Sequence, residues 1–447
     1  MKQPHRGVSF GTVFMLALTV VVLGSTAAIL PRLLGTADVH VDVSGAIAAL
    51  TLHDGLPVLS LSDIPIADTT EIPVASATPS PSQAEATPEP TAVPTATPVP
   101  GGTVTLTLGG SVNIDEAIRK SAYYSDSGKY DFAEIMTLLW DEMQSDLTML
   151  TLENLTVDAD KVSSINAPSA VMDMLAGAGV DVLALGYSKA LDKGVSGMQA
   201  TIEAAQNRGM TTLGAYANQT DADKLRMFTV DNVNVAFLHY TESVSTAGQK
   251  VIREEGASYA LPTMYIDGIP DGMFADVRSA RAAGADVVIV SLNWGKQSAS
   301  KPTNTQKELA QQLADAGADI IIGAGTRVVQ PVTWLTAKGA NGSIRHTLCA
   351  WNLGSLLNES RKDGNVLGML LQLQISVEDG VLSFEKVCYT PTYIWRYKQD
   401  GQYQYRIAVS DQPAPDGMGD EQAGYMEKAL RNLQKYLGDS PVTLRQK

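Results

Sequence analysis

The stretch "DAGADIIIGAGTRVVQP" at residues 315–331 decides the fold. It ends a predicted helix at Gly317, runs through an apolar strand and opens into a polar loop. The segments "LAGAGVDVLALGYSKALDKG" at 175–194 and "AAGADVVIVSLNWG" at 282–295 repeat this order. In all three, a glycine closes a helix and an apolar or β-branched strand then leads to a polar loop. This alternation predicts an α/β domain built on a buried sheet.

The neighbouring segments support the same architecture. In "NTQKELAQQLADAGAD" the apolar residues have helical spacing, and Gly317 stands where a terminating glycine belongs. Two earlier strands, at 103–110 and 145–154, extend the sheet, and a turn at Glu378–Gly380 joins two late strands. The last predicted helix places Met426, Leu430, Leu433 and Leu437 on one face, which favours packing on the domain over docking of a partner.

The polar loops after the strands define a candidate site, because in open α/β sheets the loops beyond the carboxyl ends of the strands line the ligand crevice. Five strand ends contribute Gly109, Gly110, Ser111, Asn113, Glu153, Asn154, Tyr187, Ser188, Lys189, Asp192, Asn293, Trp294, Thr326, Arg327 and Gln330. Within this set, Glu153 and Asp192 are the catalytic candidates. The ligand-binding candidates are Lys189, Asn293, Trp294, Arg327, Gln330 and Asn154.

Composition excludes several classes of function. The chain of 447 residues carries a formal net charge of −15 without a cluster of Lys and Arg, which argues against nucleic-acid binding. It lacks the G-x-S-x-G elbow and has only five histidines, which argues against a nucleophilic triad. The two cysteines, Cys349 and Cys388, form no metal-binding motif; they could pair outside the cell or remain buried thiols.

The N-terminal region predicts export and membrane attachment. After a short basic tail, residues 1–7, the apolar segment 8–30 is long enough to span a bilayer as a signal anchor. A cleaved signal peptide is the alternative, because "STAA" offers small residues for cleavage. A juxtamembrane segment, 31–76, and a Pro/Thr-rich linker, 77–102, follow. The predicted location is the cell membrane, with a single span and the bulk of the chain extracytoplasmic.

The loop motifs resemble those of the CapA family, the poly-γ-glutamate capsule synthesis proteins. The motifs that carry the resemblance, over residues 103 to about 375, are "LGGSVN", "LTLENL", "YSKALDKG", "LNWG", "GADIIIGAGTRVVQ" and "NLGSLL". The resemblance implies a metallophosphatase-like four-layer α/β/β/α sandwich, here spanning residues 103–395 and preceded by the transmembrane helix and the linker. Residues 396–447 are expected to form a C-terminal extension with an amphipathic helix.

The metal-ligand positions implied by the resemblance carry other residues. Positions of the family's Asp, Asn and His ligands hold residues that bind divalent metals poorly: Gly110, Thr151, Tyr187, Ser188, Lys189, Asn293, Ala324, Gly325, Arg327 and Ser355. Glu153 and Asp192 are retained. We therefore expect no metal and no cofactor.

Four functional interpretations stay open at this stage. Lys189 and Arg327 could neutralise Glu153 and Asp192 in an abandoned site, or they could hold an anionic ligand. The third is a hydrolase or phosphoesterase acting on an extracellular polymer. The degenerate ligand positions favour a non-enzymatic binding or scaffold protein. The resemblance implies a role in synthesis or anchoring of a capsule or wall polymer, with poly-γ-glutamate and envelope synthesis proteins as partners. A structural subunit of a membrane assembly is the other alternative.

Overall fold

The computed structural model describes residues 101–445 except 158–165, 267–268, 271 and 339–341. The predicted tail, anchor, juxtamembrane segment and nearly all of the linker lie outside the described residues, so these assignments stay predictions. Among the described residues, no helix has the length and apolarity needed to cross a membrane.

Strands and short helices alternate along the described chain. The strands are β1 (Gly102–Val112), β2 (Tyr123–Tyr124), β3 (Lys129–Tyr130), β4 (Leu147–Leu152), β5 (Val182–Ala184), β6 (Thr211–Leu213), β7 (Arg226–Val230), β8 (Val233–Thr241), β9 (Tyr265–Ile266), β10 (Ile269–Pro270), β11 (Val287–Asn293), β12 (Ile320–Ala324), β13 (Val332–Lys338), β14 (Ile344–Ala350), β15 (Ser355–Leu357), β16 (Leu367–Glu378), β17 (Val381–Gln399), β18 (Gln402–Val409) and β19 (Thr443–Leu444). The α-helices are α1 (Glu116–Ser121), α2 (Ala170–Gly177), α3 (Gly194–Gln206), α4 (Gln219–Ala222), α5 (Thr246–Glu255), α6 (Met273–Ala282), α7 (Asn304–Ala316) and α8 (Asp420–Leu437). Two 3₁₀ helices span Ala133–Ile135 and Thr137–Glu142.

Two large sheets organise these elements. The first has the order β18-β17-β16-β1-β4-β5-β6, with β15 beside β1 and β19 beside β17. The second has the order β13-β14-β12-β11-β8-β7. Strands β1, β4, β5 and β6 are parallel to one another, as are β8, β11, β12 and β14. Each sheet therefore presents a row of carboxyl-terminal strand ends at one edge.

Alternate residues of the strands separate the core into layers. Met149 and Val182 pack between the two sheets, against Phe237 and Ile289 of the second sheet. Their neighbour Leu150 faces the opposite way, towards the helices on the outside of the first sheet. On the outside of the second sheet, Val288, Val290 and Ile321 pack against Val277 of α6 and Leu313 of α7. The predicted α/β/β/α order of layers is thus confirmed.

Local signals in the sequence explain several boundaries. Thr303 and Gln306 form a reciprocal capping box at the start of α7, and the predicted stop at Gly317 is confirmed by its φ of 127°. Asp379 and Gly380 form the tight turn between β16 and β17, both with positive φ. These residues fix where helix α7 and strands β16 and β17 begin or end.

The C-terminal segment belongs to the same sandwich. The predicted boundary between residues 395 and 396 falls inside β17, because the backbone pairing of this strand with β18 continues past Trp395 to Gln399. Met426, Leu433 and Leu437 of α8 are buried against the first sheet, which confirms the predicted packing of this helix. Cys349 and Cys388 are free, buried thiols in different sheets.

Candidate functional site

The carboxyl ends of six strands meet around one cleft. Strands β1, β4 and β5 contribute from the first sheet, and β8, β11 and β12 contribute from the second. The cleft has a volume of about 280 Å³. Its walls are Asn113, Glu153, Tyr187, Ser188, Lys189, Glu242, Ser243, Asn293, Trp294, Gly295, Gln297, Gly325 and Arg327. We call this the strand-end cleft.

Arg327 joins the two sheets at the floor of the strand-end cleft. Its Nη2 donates to Asn113 Oδ1 at 2.6 Å and lies 3.7 Å from Glu153 Oε2. Asn293 Nδ2 donates to the other oxygen of Glu153 at 3.1 Å. Of the four residues, Asn113 and Glu153 follow strands of the first sheet, whereas Asn293 and Arg327 come from the second. The predicted convergence of Glu153, Asn293 and Arg327 is therefore what the structure shows.

The loop after β12 is shaped to deliver Arg327. Gly325 has a φ of 98°, and a Cβ built there would lie 3.1 Å from Asn293 Oδ1. Thr326 Oγ1 donates to the carbonyl oxygen of Val328 at 3.0 Å, which tightens the turn. Arg327 itself has a φ of 62°, which is uncommon for a residue with a side chain. The backbone strain is consistent with a functional position.

Glu153 is a buried carboxyl group with one nearby cation. Burial raises the pKa of Glu153, and the charge of Arg327 and the Asn293 hydrogen bond oppose that shift without cancelling it. Asn113 also lies near enough to lower the pKa, although no hydrogen bond of normal length joins its amide to the carboxylate. The ion pair thus only partly compensates the burial of the charge.

Two hydrogen-bond donors in the strand-end cleft have no acceptor among the described residues. Asn113 uses its Oδ1 to accept from Arg327, so its buried Nδ2 is a donor without a partner. The phenol of Tyr187 is buried, and its Oη likewise has no partner. Burial raises the pKa of Tyr187 above its usual value, and the charges of Glu153 and Asp192 raise it further. Tyr187 is therefore a neutral O–H donor.

Lys189 and Asp192 are not paired with each other. Lys189 is exposed at the cleft and forms no ion pair in the part of the chain that the structure describes. Asp192 accepts a hydrogen bond from the hydroxyl of Ser245, the N-cap residue of α5. Of the predicted neutralising pairs, the described structure forms that of Arg327 with Glu153, whereas Asp192 is bonded to Ser245 and Lys189 has no ion pair there.

Three candidate residues are engaged elsewhere in the structure. Trp294 touches the cleft but is buried, its ring stacks on Trp351 at 5.8 Å, and its Nε1 donates to the Trp351 carbonyl. Gln330 is buried outside the cleft and donates to the carbonyl oxygen of Ala299 at 2.9 Å. Asn154, also buried, accepts from the backbone N–H of Ile114 at 2.7 Å. Gln330 and Asn154 therefore support the loops and do not line the cleft.

The cleft also contains residues outside the predicted set. Glu242, Ser243, Gly295 and Gln297 line it, and Glu242 Oε2 accepts from the backbone N–H of Gly295 at 2.6 Å. The strand "VNVAFLHYT" ends directly before Glu242. The same strand-end rule, applied to β8, would have found Glu242 and Ser243.

The two-metal centre implied by the fold resemblance does not fit these residues. Such a centre needs several imidazole, carboxylate or thiolate ligands around each pair of ions. Among the described residues, no three His, Cys, Asp or Glu side chains converge on one point. The guanidinium of Arg327 lies beside Glu153, and its positive charge would repel a metal ion at that carboxylate. The side chains of the strand-end cleft therefore do not fit a pair of metal ions.

Two comparisons with known proteins agree with the motifs. Residues 105–360, more than half of the chain, match the family model described as "Bacterial capsule synthesis protein PGA_cap". The capsule biosynthesis protein CapA of Bacillus anthracis is 30% identical over 175 residues, which are 38% of this chain and 41% of that protein. The PGA biosynthesis protein CapA of Bacillus subtilis (strain 168) is 27% identical over 175 residues, or 39% and 44% of the two chains. The chain thus spans less than half the length of these relatives.

Solved structures give a weaker likeness. A hypothetical protein from Thermus thermophilus has a TM-score of 0.37 and 16% identity, over 65% of this chain and 98% of that one. A putative 5'-nucleotidase from Staphylococcus aureus has a TM-score of 0.40 and 11% identity, over 74% and 58%. The membership rests instead on the family match, which confirms the CapA resemblance: the chain belongs to the family of bacterial capsule synthesis proteins described as PGA_cap.

Proposed function

We propose that this chain is a membrane-anchored extracytoplasmic protein whose strand-end cleft binds carboxylate groups of a poly-γ-glutamate-type envelope polymer. Binding, and not hydrolysis, is its role in making or anchoring the polymer. The family membership and the names of the two Bacillus relatives support the choice of polymer. The anchor in residues 8–30 and the linker in 77–102 would hold the cleft outside the membrane.

One observation carries this proposal: the strand-end cleft holds buried hydrogen-bond donors that have no partner among the described residues. Asn113 Nδ2 and Tyr187 Oη are buried donors without partners among the described residues, and Lys189 adds an ammonium group without an ion pair there. A buried donor without an acceptor costs roughly 1–3 kcal/mol, so a ligand that supplies acceptor oxygens recovers this free energy. A carboxylate has two such oxygens and the charge that Lys189 favours.

The network at the floor of the cleft fixes these donors. Arg327 holds Asn113 by its Oδ1, so the amide nitrogen beside Glu153 is left without a hydrogen bond of normal length. Glu153 and Asn293 hold Arg327 in turn, from both sheets. In this arrangement Glu153 acts as the counter-charge of a positioned guanidinium.

Charge changes at the rim should alter binding in opposite directions. We expect Lys189→Gln to weaken binding of a short γ-linked glutamate oligomer about fivefold, because it removes one charge-assisted contact. Glu242→Gln should strengthen it, since the carboxylate of Glu242 faces the same cleft. Titration calorimetry on the purified full-length protein, at low and high salt, measures both changes. The difference should shrink at high salt, because exposed charges are screened.

Two outcomes would overturn the proposal. If neither variant changes the affinity, or both change it in the same direction, the cleft is not an anion site. If the protein instead hydrolyses the polymer and Glu153→Gln abolishes turnover, the hydrolase alternative is correct. A buried carboxyl group with a raised pKa could act as the proton donor in that case.

The change Tyr187→Phe should affect ligand binding without lowering the stability of the fold. Because the phenolic O–H has no partner in the described part of the chain, its removal should leave the free energy of unfolding unchanged or raise it by about 1 kcal/mol. The same change should weaken oligomer binding about tenfold by deleting a buried donor to the ligand. Denaturant unfolding and calorimetry on one preparation test both statements.

The exposed Tyr123 provides the matched control. Tyr123→Phe should change neither stability nor binding. A Tyr187→Phe protein that is destabilised and binds normally would show that the hydroxyl serves the fold.

A further inference from the structure

A second cleft lies between helix α8 and the end of strand β17. It has a volume of about 260 Å³, and its charged residues are Arg361, Arg396, Lys428 and Asp363. Three cations against one carboxylate leave two net positive charges, in a chain whose formal net charge is −15. We call this the α8 cleft. A positive concavity on an acidic protein attracts anions locally.

The two arginines of the α8 cleft have no carboxylate partner in the described part of the chain. Arg361 Nη1 donates to the carbonyl oxygen of Ile394 at 3.1 Å, and the guanidinium of Arg396 lies 4.3 Å from the ring centre of Tyr403. These contacts orient the two planar groups without neutralising them. Of the three cations, Lys428 is the one that is paired, with Asp363 at 2.8 Å, and both side chains of this pair are exposed. Arginine forks held in this way suit a carboxylate, which they bind through two hydrogen bonds.

The α8 cleft and the strand-end cleft are neighbours in the fold. Val328 follows Arg327, which lines the strand-end cleft, and Gly364 follows Asp363, which lines the α8 cleft. A Cβ built on Gly364 would lie 3.2 Å from Val328 Cγ2 and 3.3 Å from Tyr436 Oη of α8. The loop before β16 is therefore packed between the Arg327 loop and helix α8.

We propose that the α8 cleft is a second anion subsite, which binds further carboxylates of the polymer chain held in the strand-end cleft. This inference rests on the proposed function. A polymer with a carboxylate on every unit can occupy both clefts at once, whereas a short oligomer can occupy only one. Linked binding of this kind raises the overall affinity through effective concentration, without new contacts in either site.

The test compares long poly-γ-glutamate with a short γ-linked oligomer on the full-length protein. Arg396→Gln combined with Lys428→Gln removes two charges of the α8 cleft, and the loss of the exposed pair of Lys428 should cost little stability. We expect the affinity for the long polymer to fall by about tenfold or more. The affinity of the strand-end cleft for the short oligomer should stay unchanged. The dependence of polymer binding on salt should become less steep.

The control removes the same charge elsewhere. Lys250→Gln with Lys120→Gln breaks two exposed i,i+4 pairs, and neither residue lies on α8 or lines either of the two clefts. If the α8 variant binds long polymer as well as this control does, the second subsite is wrong while the proposed function stands. If the wild type binds neither long nor short γ-glutamate, the proposed function fails and the second subsite fails with it.

Discussion

Replacing Arg327 by methionine is expected to lower the free energy of unfolding by about 3 kcal/mol at about pH 7. Methionine retains much of the apolar volume but leaves the carboxylate of Glu153 buried with one hydrogen-bond donor, Asn293. The exposed fractions of the two side chains are 10% for Glu153 and 22% for Arg327, so solvent replaces the lost charge poorly. Removing one partner of a buried ion pair is among the most destabilising single changes.

The destabilisation by Arg327→Met should become smaller as the pH falls. Burial already raises the pKa of Glu153 above that of the unfolded chain, and loss of the guanidinium raises it further. A raised folded-state pKa means that stability is highest below the unfolded pKa and is lost as the pH rises through the folded pKa. The difference between the variant and the wild type should therefore shrink as the pH falls from about 7 towards about 4.5.

The double variant Arg327→Met/Glu153→Gln should recover most of the lost stability, because the uncompensated charge is gone. Denaturant unfolding of the four proteins of this cycle, at both pH values, gives the coupling free energy. Arg431→Met is the control, since its pair with Glu427 is exposed and should contribute little. An Arg327→Met protein that is equally destabilised at both pH values would mean that lost packing, and not the charge of Glu153, is responsible.

Much of the fold could be predicted because its signals are local. The repeated order of glycine, apolar strand and polar loop indicates strands that are buried on both faces. In the structure, one face of these strands packs against the other sheet and the other face packs against helices. The end of the domain was harder to predict. The strand β17 is buried only from Cys388 to Trp395 and is more exposed at both ends, so its continuation past Trp395 carries no apolar signal.

The site could be predicted only as a neighbourhood. The strand-end rule brings Glu153, Asn293 and Arg327 to one edge, but the stacking of two sheets decides which side chains meet. From the sequence alone, Lys189 and Arg327 are equally good candidates for an ion pair with a carboxylate. In the described structure it is Arg327 that forms one. The side chain of Asn154 accepts a hydrogen bond from the backbone N–H of Ile114, because a buried N–H needs an acceptor. Such choices depend on distances between segments far apart in sequence.

His239 is expected to make the stability of the domain depend on pH in the opposite direction to Glu153. Its side chain is 1% exposed, and its ring joins the two sheets between Ser291 Oγ at 2.9 Å and the carbonyl oxygen of Gly186 at 2.7 Å. Because a carbonyl only accepts, Nε2 carries the proton and Nδ1 accepts from the serine. A Cβ built on Gly214 would lie 2.1 Å from His239 Cδ2, so the ring fills the space that this glycine leaves.

Burial lowers the pKa of His239 from 6.5 to about 4. The folded protein therefore holds a neutral imidazole where the unfolded chain binds a proton. Stability is fully present above the unfolded pKa and is lost as the pH falls through the window between about 6.5 and about 4, by about 3 kcal/mol. His239→Gln should abolish this part of the loss, so the wild type should lose about 3 kcal/mol more than the variant between pH 7 and pH 4.

The comparison with His239→Gln isolates the histidine from the buried carboxyl groups. Glu153, Asp181 and Asp319 have raised pKa values and act in the opposite direction, but they are present in both proteins and cancel in the difference. His346→Gln, at an exposed position, is the matched control for the substitution itself. Denaturant unfolding at steps of pH measures the slopes. If the His239→Gln protein loses stability in acid as steeply as the wild type, the imidazole is not held neutral, and the bond to Gly186 cannot be the link between the sheets that we infer.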